Sequence, residues 1–232
     1  MELLRVTGLN AFYGESHILH GVDFKVERGE VVILLGRNGA GRTTTLRAIL
    51  GLVGRRTGSV LIDGREAIRL APHLIARLGL GYCPEERGIY SSLTTEENLL
   101  LPPVVGTGGL SIEEIYGMFP NLKDRRATQG TRLSGGEQQM LAVARILRTG
   151  AKLLLLDEIS EGLAPVIVQL LARMIHVLRD KGYTIVLVEQ NFRFALPLAD
   201  RFYVMEHGRI VDGFEARELH EKMAMLNVRL AV

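Results

Sequence analysis

A glycine-rich segment with the spacing of a phosphate-binding loop lies at residues 36–43. It fits the pattern G-x-x-x-x-G-K-[ST], except that arginine stands in the lysine position: Gly36-Arg37-Asn38-Gly39-Ala40-Gly41-Arg42-Thr43. Glycines let the backbone curl closely around a polyphosphate, with its N–H groups directed inward. The Thr43 hydroxyl is placed to bind Mg²⁺, and the Arg42 guanidinium to reach the β and γ oxygens. The segment predicts nucleotide binding. It does not by itself predict hydrolysis, because the planar guanidinium of Arg42 is bulkier than the lysine ammonium and has a different geometry.

A second pair of glycines follows a serine at residues 134–137. Ser134 and Glu137 have the spacing of a capping box, so they predict the start of a helix that continues to about Gly150. The N–H groups of Gly135 and Gly136 in its first turn, with the Ser134 hydroxyl, are suited to holding a phosphate. An ordinary capped helix also explains Ser134 and Glu137, but it does not need both glycines.

An apolar run at residues 153–156 ends in two carboxylates, Asp157 and Glu158. If the run is a buried strand, Asp157 reaches the magnesium side of the phosphate loop and Glu158 can act as the general base toward water. Many buried strands end in acidic residues, so this assignment depends on the two glycine-rich segments.

The elements that must position these segments follow from hydrophobic periodicity. Strands predicted early in the chain suggest an antiparallel β-layer, and residues from about 85 to 150 are predicted to form a mainly helical insert. After the insert, strand and helix alternate as in a parallel sheet flanked by helices. The predicted strands are residues 3–6, 17–26, 31–35, 59–62, 78–83, 152–157 and 183–189, and the predicted helices are residues 43–50, 93–101, 111–118 and 165–180. His17 and His20 are expected on opposite faces of a strand, where they would make a poor metal pair.

Composition limits the class of protein. The 232 residues are 47% hydrophobic and carry a net charge of +2, which suits one globular domain and gives no basic surface for nucleic acid. The single cysteine, Cys83, excludes an internal disulfide framework and indicates a reducing compartment. We see neither a signal peptide nor an apolar segment of membrane-spanning length, so any link to a membrane is expected to come through a partner.

The order of these segments resembles the ATP-binding subunits of ABC transporters over essentially the whole chain, and residues 133–139 resemble the signature of that family. The resemblance implies an α/β fold with a P-loop NTPase core, a mostly parallel sheet, an antiparallel β-layer and a helical subdomain at about 85–150, within one domain at 1–232. It also implies ATP and Mg²⁺ as cofactors. In that family two domains pack head to tail, so that each ATP lies between one phosphate loop and the signature of the other subunit.

The resemblance implies a role for each matching residue. Glu158 and Gln190 would be catalytic, with Gln190 in place of the usual switch histidine. Thr43, Asp157 and Glu85 would hold the metal, with Glu85 in place of the usual glutamine. The signature residues facing the partner's ATP would be Ser134, Gly135, Gly136 and Glu137. The ATP-binding residues would be Tyr13, stacked on adenine, with Gly36, Arg37, Asn38, Gly39, Ala40, Gly41, Arg42, Thr43 and Thr44.

Residues 84–85, 160–165 and 188–191 together further resemble the LivF-type ATPases of branched-chain amino acid importers. That resemblance implies two integral membrane permease subunits, a second ABC ATPase or a second copy of this chain, and indirectly an extracytoplasmic solute-binding protein. The site of action would be the cytoplasmic face of the inner membrane of a bacterium or archaeon. The open alternatives are an importer ATPase for urea or short-chain amides, a soluble ABC-type ATPase of DNA repair or translation, and a switch that binds ATP without hydrolysing it.

Overall fold

The computed structural model describes residues 1–230, and within them the strands form two sheets. The strands are β1 (Glu2–Tyr13), β2 (Ser16–Glu27), β3 (Val31–Gly36), β4 (Arg55–Ile62), β5 (Arg65–Glu66), β6 (Leu80–Cys83), β7 (Leu153–Asp157), β8 (Thr184–Val188), β9 (Arg201–Glu206) and β10 (Arg209–Glu215). The helices are α1 (Arg42–Ile49), α2 (Pro72–Ala76), α3 (Thr95–Leu100), α4 (Ile112–Met118), α5 (Pro120–Asp124), α6 (Gly135–Arg148), α7 (Pro165–Asp180), α8 (Phe192–Ala195) and α9 (Leu219–Leu230).

The central strands β3, β8 and β7 of the larger sheet are buried on both faces. Its strands follow the order β10-β9-β3-β8-β7-β6, and every neighbouring pair is parallel except β9 with β10. Along β3, Val31, Ile33 and Leu35 pack into one apolar core, whereas Val32 and Leu34 pack into a second core on the opposite face. Strands covered on both faces are apolar at every position, which explains why the site-bearing strands appear in the sequence as uninterrupted apolar runs.

The smaller sheet is antiparallel, with the order β2-β1-β4-β5. Its pairing shifts between Ala11, which lies opposite Leu19, and Phe12, which lies opposite His17. The extra residue on β2 reverses the alternation of side chains at that point. The prediction that His17 and His20 lie on opposite faces is therefore wrong, because their ring centroids are only 4.0 Å apart.

Helices α3 to α6 fill the chain between β6 and β7, together with a 3-10 turn (Gly130–Arg132) and an isolated bridge from Thr94 to Gln129. This stretch is our proposed helical subdomain. Capping boxes begin α3, α4 and α6, so three of its helices start where a serine or threonine precedes a glutamate by three residues. Among residues 1–230, no helix combines the length and the apolar character needed to cross a membrane.

The carboxyl ends of β3, β8 and β7 lie side by side in the larger sheet. Ligands of open parallel sheets bind at this edge. The three strands end at Gly36, Val188 and Asp157, so the fold brings the phosphate loop, the 189–190 pair and the 157–158 pair to one place.

Candidate nucleotide-binding site

The phosphate loop joins β3 to α1 and has the open backbone that an anion requires. Gly39 has a φ of 78° and Gly41, the N-cap of α1, has a φ of 101°. A Cβ added at Gly41 would come within 2.9 Å of a Leu19 methyl group, so both conformation and space require glycine there. A cavity of about 450 Å³ lies against this loop, and its lining residues are Ile18, Asn38, Gly39, Ala40, Gly41, Arg42, Thr43, Thr44, Glu85, Glu158, Glu161 and Gln190.

Arg42 is buried, with 4% of its side chain exposed, and it binds two groups across the cavity. Its Nη1 donates to the backbone oxygen of Glu189 at 2.6 Å, and its Nη2 donates to Glu158 Oε1 at 2.8 Å. Burial lowers the pKa of Arg42, although the nearby carboxylates of Glu158 and Asp157 oppose that shift. The guanidinium therefore forms a two-point bridge that includes the candidate general base.

Glu158 is held in an uncommon backbone conformation. Its φ of 48° is left-handed, which is costly for a residue other than glycine. Its N–H donates to Val188 O at 2.9 Å, and its Oε2 accepts from Gln190 Nε2 at 2.6 Å. With Oε1 held by Arg42, both carboxylate oxygens have a partner. This arrangement places the two predicted catalytic residues in direct contact.

A second clasp fixes the turn that follows Glu158. The buried carboxylate of Glu189 accepts from the Ser160 N–H at 3.0 Å and from the Ser160 hydroxyl at 2.8 Å. Burial raises the pKa of Glu189 to about 7, against the opposing effect of these hydrogen bonds. The clasp joins the loop after β8 to the turn after β7, and both loops contribute to the cavity.

Asp157 and Thr43, two of the predicted metal ligands, are hydrogen-bonded to each other. The Thr43 hydroxyl donates to Asp157 Oδ1 at 3.0 Å, and the Tyr82 hydroxyl donates to Asp157 Oδ2 at 3.1 Å. Burial raises the pKa of Asp157 to about 6, which a bound cation would reverse. A hydroxyl and a carboxylate are the hard oxygen ligands that Mg²⁺ prefers.

Glu85, the third predicted metal ligand, lies in a cluster of carboxylates with Glu158 and Glu161. One oxygen from each residue lies within 4.8 Å of the others. Hydrogen bonding to Glu158 and partial burial raise the pKa of Glu161, because clustered carboxylates disfavour one another's charge. The residues present therefore fit both a polyphosphate and Mg²⁺, with an excess of negative charge for a cation to neutralise.

The signature segment forms the first turn of α6. The Ser134 hydroxyl accepts from the Glu137 N–H at 3.3 Å, and Glu137 Oε2 accepts from the Ser134 N–H at 2.8 Å. Gly136 is needed for packing, because a Cβ there would lie 2.8 Å from Ile167 Cγ1. Gly135 is exposed, and its nearest obstacle would be the flexible end of Arg87 at 3.4 Å. Only Gly135 lacks a packing explanation, so it is the glycine best suited to a ligand outside the chain.

Three predicted ATP-binding residues are not part of the cavity lining: Gly36, which ends β3, Tyr13 and Arg37. Tyr13, at the end of β1, is 42% exposed, so its ring is free to stack on a base. The Arg37 side chain turns to the end of α9, where it donates to the backbone oxygens of Val228 and Arg229 at 3.1 and 2.7 Å. The adenine role of Tyr13 remains a proposal, and any role of Arg37 toward a nucleotide falls to its backbone.

Sequence reasoning missed four polar residues of the site: Tyr82, Ser160, Glu161 and Glu189. A weak signal existed for Tyr82, since it is the one polar side chain in a short apolar strand that precedes Glu85. No local sequence pattern predicts the clasp between Ser160 and Glu189, because these two residues are 29 positions apart and meet only in the folded chain.

Comparison with known proteins gives consistent matches. The ABC transporter family model matches residues 19–161. The high-affinity branched-chain amino acid transport ATP-binding protein BraG of Pseudomonas aeruginosa is 42% identical over 218 residues, which cover 90% of this chain and 91% of that protein. The probable branched-chain amino acid transport ATP-binding protein LivF of Archaeoglobus fulgidus is 37% identical over 97% of this chain and 98% of its own length. The solved structure of an ATP-binding subunit of an ABC transporter has a TM-score of 0.83 at 28% identity, covering 99% of this chain and 100% of that one.

Proposed function

Because the chain belongs to the ABC transporter family of ATP-binding subunits, we propose that it is the ATP-hydrolysing subunit of an importer for branched-chain amino acids. The observation that carries this proposal is the convergence of the phosphate loop, Glu158 and Gln190 on one cavity, with Asp157 hydrogen-bonded to Thr43 of its lining. The solute is proposed from the 42% identity to a protein named for branched-chain amino acid transport.

The proposal assigns roles to the phosphate loop and to six side chains at or beside the cavity. The loop N–H groups hold the phosphates, and the Thr43 hydroxyl with Asp157 and Glu85 holds Mg²⁺, which would neutralise charge on the β- and γ-phosphate oxygens. Arg42 would leave Glu158 and turn to the phosphates, because the more highly charged phosphate oxygens compete with the carboxylate for its N–H groups. Glu158, once released, accepts a proton from the attacking water, while Gln190 orients the reacting groups by hydrogen bonding.

The partner at the nucleotide is proposed to be a second ATP-binding subunit. The cavity lining within residues 1–230 includes no signature residue, whereas exposed Gly135 and Ser134 lie at a separate helix start. Head-to-tail packing would cover each cavity with the other subunit's signature. This chain would therefore contribute one half to each of two sites.

The permease subunits are proposed to dock on the surface that begins at Glu85 and continues through α3. This surface exposes several large apolar side chains. Exposed apolar side chains that form a patch mark sites of interaction with other proteins. Those of this surface are Tyr90 (54%), Leu100 (45%), Leu101 (46%) and Val104 (65%). Because Glu85 also lies in the carboxylate cluster, movement at this surface would reach the nucleotide directly. The extracytoplasmic binding protein would act through the permeases.

A second candidate function is a switch that binds ATP without hydrolysing it. The observation that favours it is the buried pair of Arg42 with Glu158, which occupies the candidate general base. Such a subunit would close the dimer when ATP binds, and its partner would supply hydrolysis. Release of phosphate by the purified chain separates the two candidates.

The test of the transport proposal is purification of the tagged chain from its native membranes in mild detergent, followed by mass spectrometry. We expect two polytopic membrane proteins to remain bound. The ATP-binding subunits recovered with them should be this chain and a second, related one, or two copies of this chain. Loss of the permeases in a Tyr90→Asp and Leu101→Asp double variant would support the docking surface. Recovery of the wild-type chain without any membrane protein would contradict the proposal.

A further inference from the structure

Tyr82 lies at the point where β6 meets the nucleotide site. It is on β6, next to β7, which ends in Asp157. Its ring packs against the apolar core beneath the phosphate loop, and its hydroxyl donates to Asp157 Oδ2 at 3.1 Å.

The two oxygens of Asp157 are held by different elements. Thr43 of α1 donates to Oδ1, and Tyr82 of β6 donates to Oδ2. Thr43 would also offer its hydroxyl oxygen to the cation. Tyr82 is not one of the proposed metal ligands, so its hydroxyl would not be shared between Asp157 and the cation. Its hydrogen bond is therefore the contact that can fix the plane of the carboxylate before the cation arrives.

We propose that Tyr82 is a positioning residue for the metal site: it orients the Asp157 carboxylate for Mg²⁺ without touching the nucleotide or the cation. This inference rests on the proposed binding of Mg²⁺ by Thr43 and Asp157. Partners that orient metal ligands typically change metal affinity by about 10- to 100-fold when they are removed. The lower end applies here, because Thr43 still holds one oxygen.

The variant that tests the inference is Tyr82→Phe, which keeps the ring in the core and removes only the hydroxyl. The matched control is Tyr116→Phe, because the Tyr116 hydroxyl also donates to a carboxylate, Glu96 Oε2 at 2.9 Å, but in the helical subdomain. Each purified full-length chain is titrated with Mg²⁺ in the presence of trinitrophenyl-ATP, and binding of the nucleotide is also measured in EDTA.

We expect Tyr82→Phe to need about tenfold more Mg²⁺ for half-maximal enhancement of nucleotide binding, with affinity in EDTA equal to that of the wild type. Tyr116→Phe should match the wild type in both. An unchanged Mg²⁺ requirement in Tyr82→Phe, or an equal loss of affinity with and without Mg²⁺, would overturn the positioning role. Wild-type binding that does not respond to Mg²⁺ would instead overturn the proposed metal site itself.

A double-variant cycle provides a second readout that general destabilisation does not mimic. If Tyr82 acts through Asp157, then Tyr82→Phe should have no further effect on Mg²⁺ dependence in an Asp157→Asn background. Additive effects of the two substitutions would contradict the inference. Thermal unfolding in EDTA confirms that each variant compared is folded.

Discussion

Replacing Arg42 by lysine is expected to raise the rate of ATP hydrolysis by about tenfold. In the structure, the guanidinium bridges Glu158 Oε1 at 2.8 Å and Glu189 O at 2.6 Å. A hydrogen bond between charged groups contributes about 1.5–3 kcal/mol, and each 1.4 kcal/mol on a barrier is about tenfold in rate. Contacts between the released guanidinium and the phosphates offset part of this cost. About 1.4 kcal/mol of net penalty on the active arrangement is therefore a reasonable magnitude.

Lysine is expected to lower that penalty because of its shape. Its ammonium is a compact point charge and cannot span both partners in the way that the planar fork does. Glu158 would then be free to serve as the general base while the ammonium contacts the phosphates. Arg42→Ala should instead lose most of the nucleotide affinity, because it removes the cation altogether.

The assay is phosphate release by the purified chain at saturating Mg²⁺ and ATP. The rate of the Glu158→Gln variant, which lacks the proposed base, is subtracted as the blank. Nucleotide affinity is measured in parallel, so that a change in turnover is separated from a change in binding. Arg201→Lys is the matched control, since Arg201 also forms a 2.8 Å ion pair, with Glu30, away from the cavity. A lysine variant with wild-type or lower turnover at saturation would refute the reasoning that Arg42 restrains Glu158.

Three further predictions address neighbouring parts of the site. Glu158→Gln should bind ATP but release almost no phosphate, and size-exclusion chromatography with ATP should show a larger dimer fraction than for the wild type; unchanged turnover would exclude Glu158 as the base. Ser134→Ala and Ser111→Ala each break a capping box and should cost about 1 kcal/mol in urea unfolding, yet only Ser134→Ala should reduce ATP hydrolysis by the assembled dimer; equal losses of activity would remove Ser134 from the site. Burial raises the pKa of Glu189 from an ordinary 4.5 to about 7, so the folded chain binds this proton more tightly than the unfolded chain and its stability falls as pH rises from 4.5 to 7; Glu189→Gln should abolish about 2 kcal/mol of the loss between pH 5.5 and pH 8, and an unchanged pH dependence would contradict the assignment.

Much of the fold could be predicted because its signals are local. The predicted helix at residues 165–180 matches α7, since Pro165 occupies its first position and Gly182 follows its end. The capping boxes at Ser111 and Ser134 likewise set the starts of α4 and α6. The apolar runs became strands of the larger sheet because each is short, bounded by turns and buried on both faces.

Other features depend on contacts that no local pattern encodes. The pairing of His17 with His20 follows from one extra residue in β2, and a register shift of this kind has no composition signal. The short helices α2, α5 and α8, and the terminal α9, were not predicted. The last turn of α9 depends on a distant contact, because Arg37 of the phosphate loop donates to the backbone oxygen of Val228, which is 191 residues away in the chain.

The replacement of lysine by Arg42 illustrates why motif matching and mechanism diverge. The motif predicts where the cation lies along the chain, and the loop conformation agrees with that prediction, since Gly41 adopts its left-handed φ. The direction of the side chain depends instead on the groups across the cavity. Glu158 meets the guanidinium there because the turn between Asp157 and Ser160 is forced into a left-handed residue and clasped by Glu189. A lysine at the same position has a single nitrogen, which could not reach Glu158 and the Glu189 backbone oxygen in the way that the two Nη atoms of Arg42 do. The substitution at Arg42 and the geometry at Glu158 must therefore be considered as one feature. In the proposed mechanism, the rate of hydrolysis would therefore depend on how readily ATP separates Arg42 from Glu158.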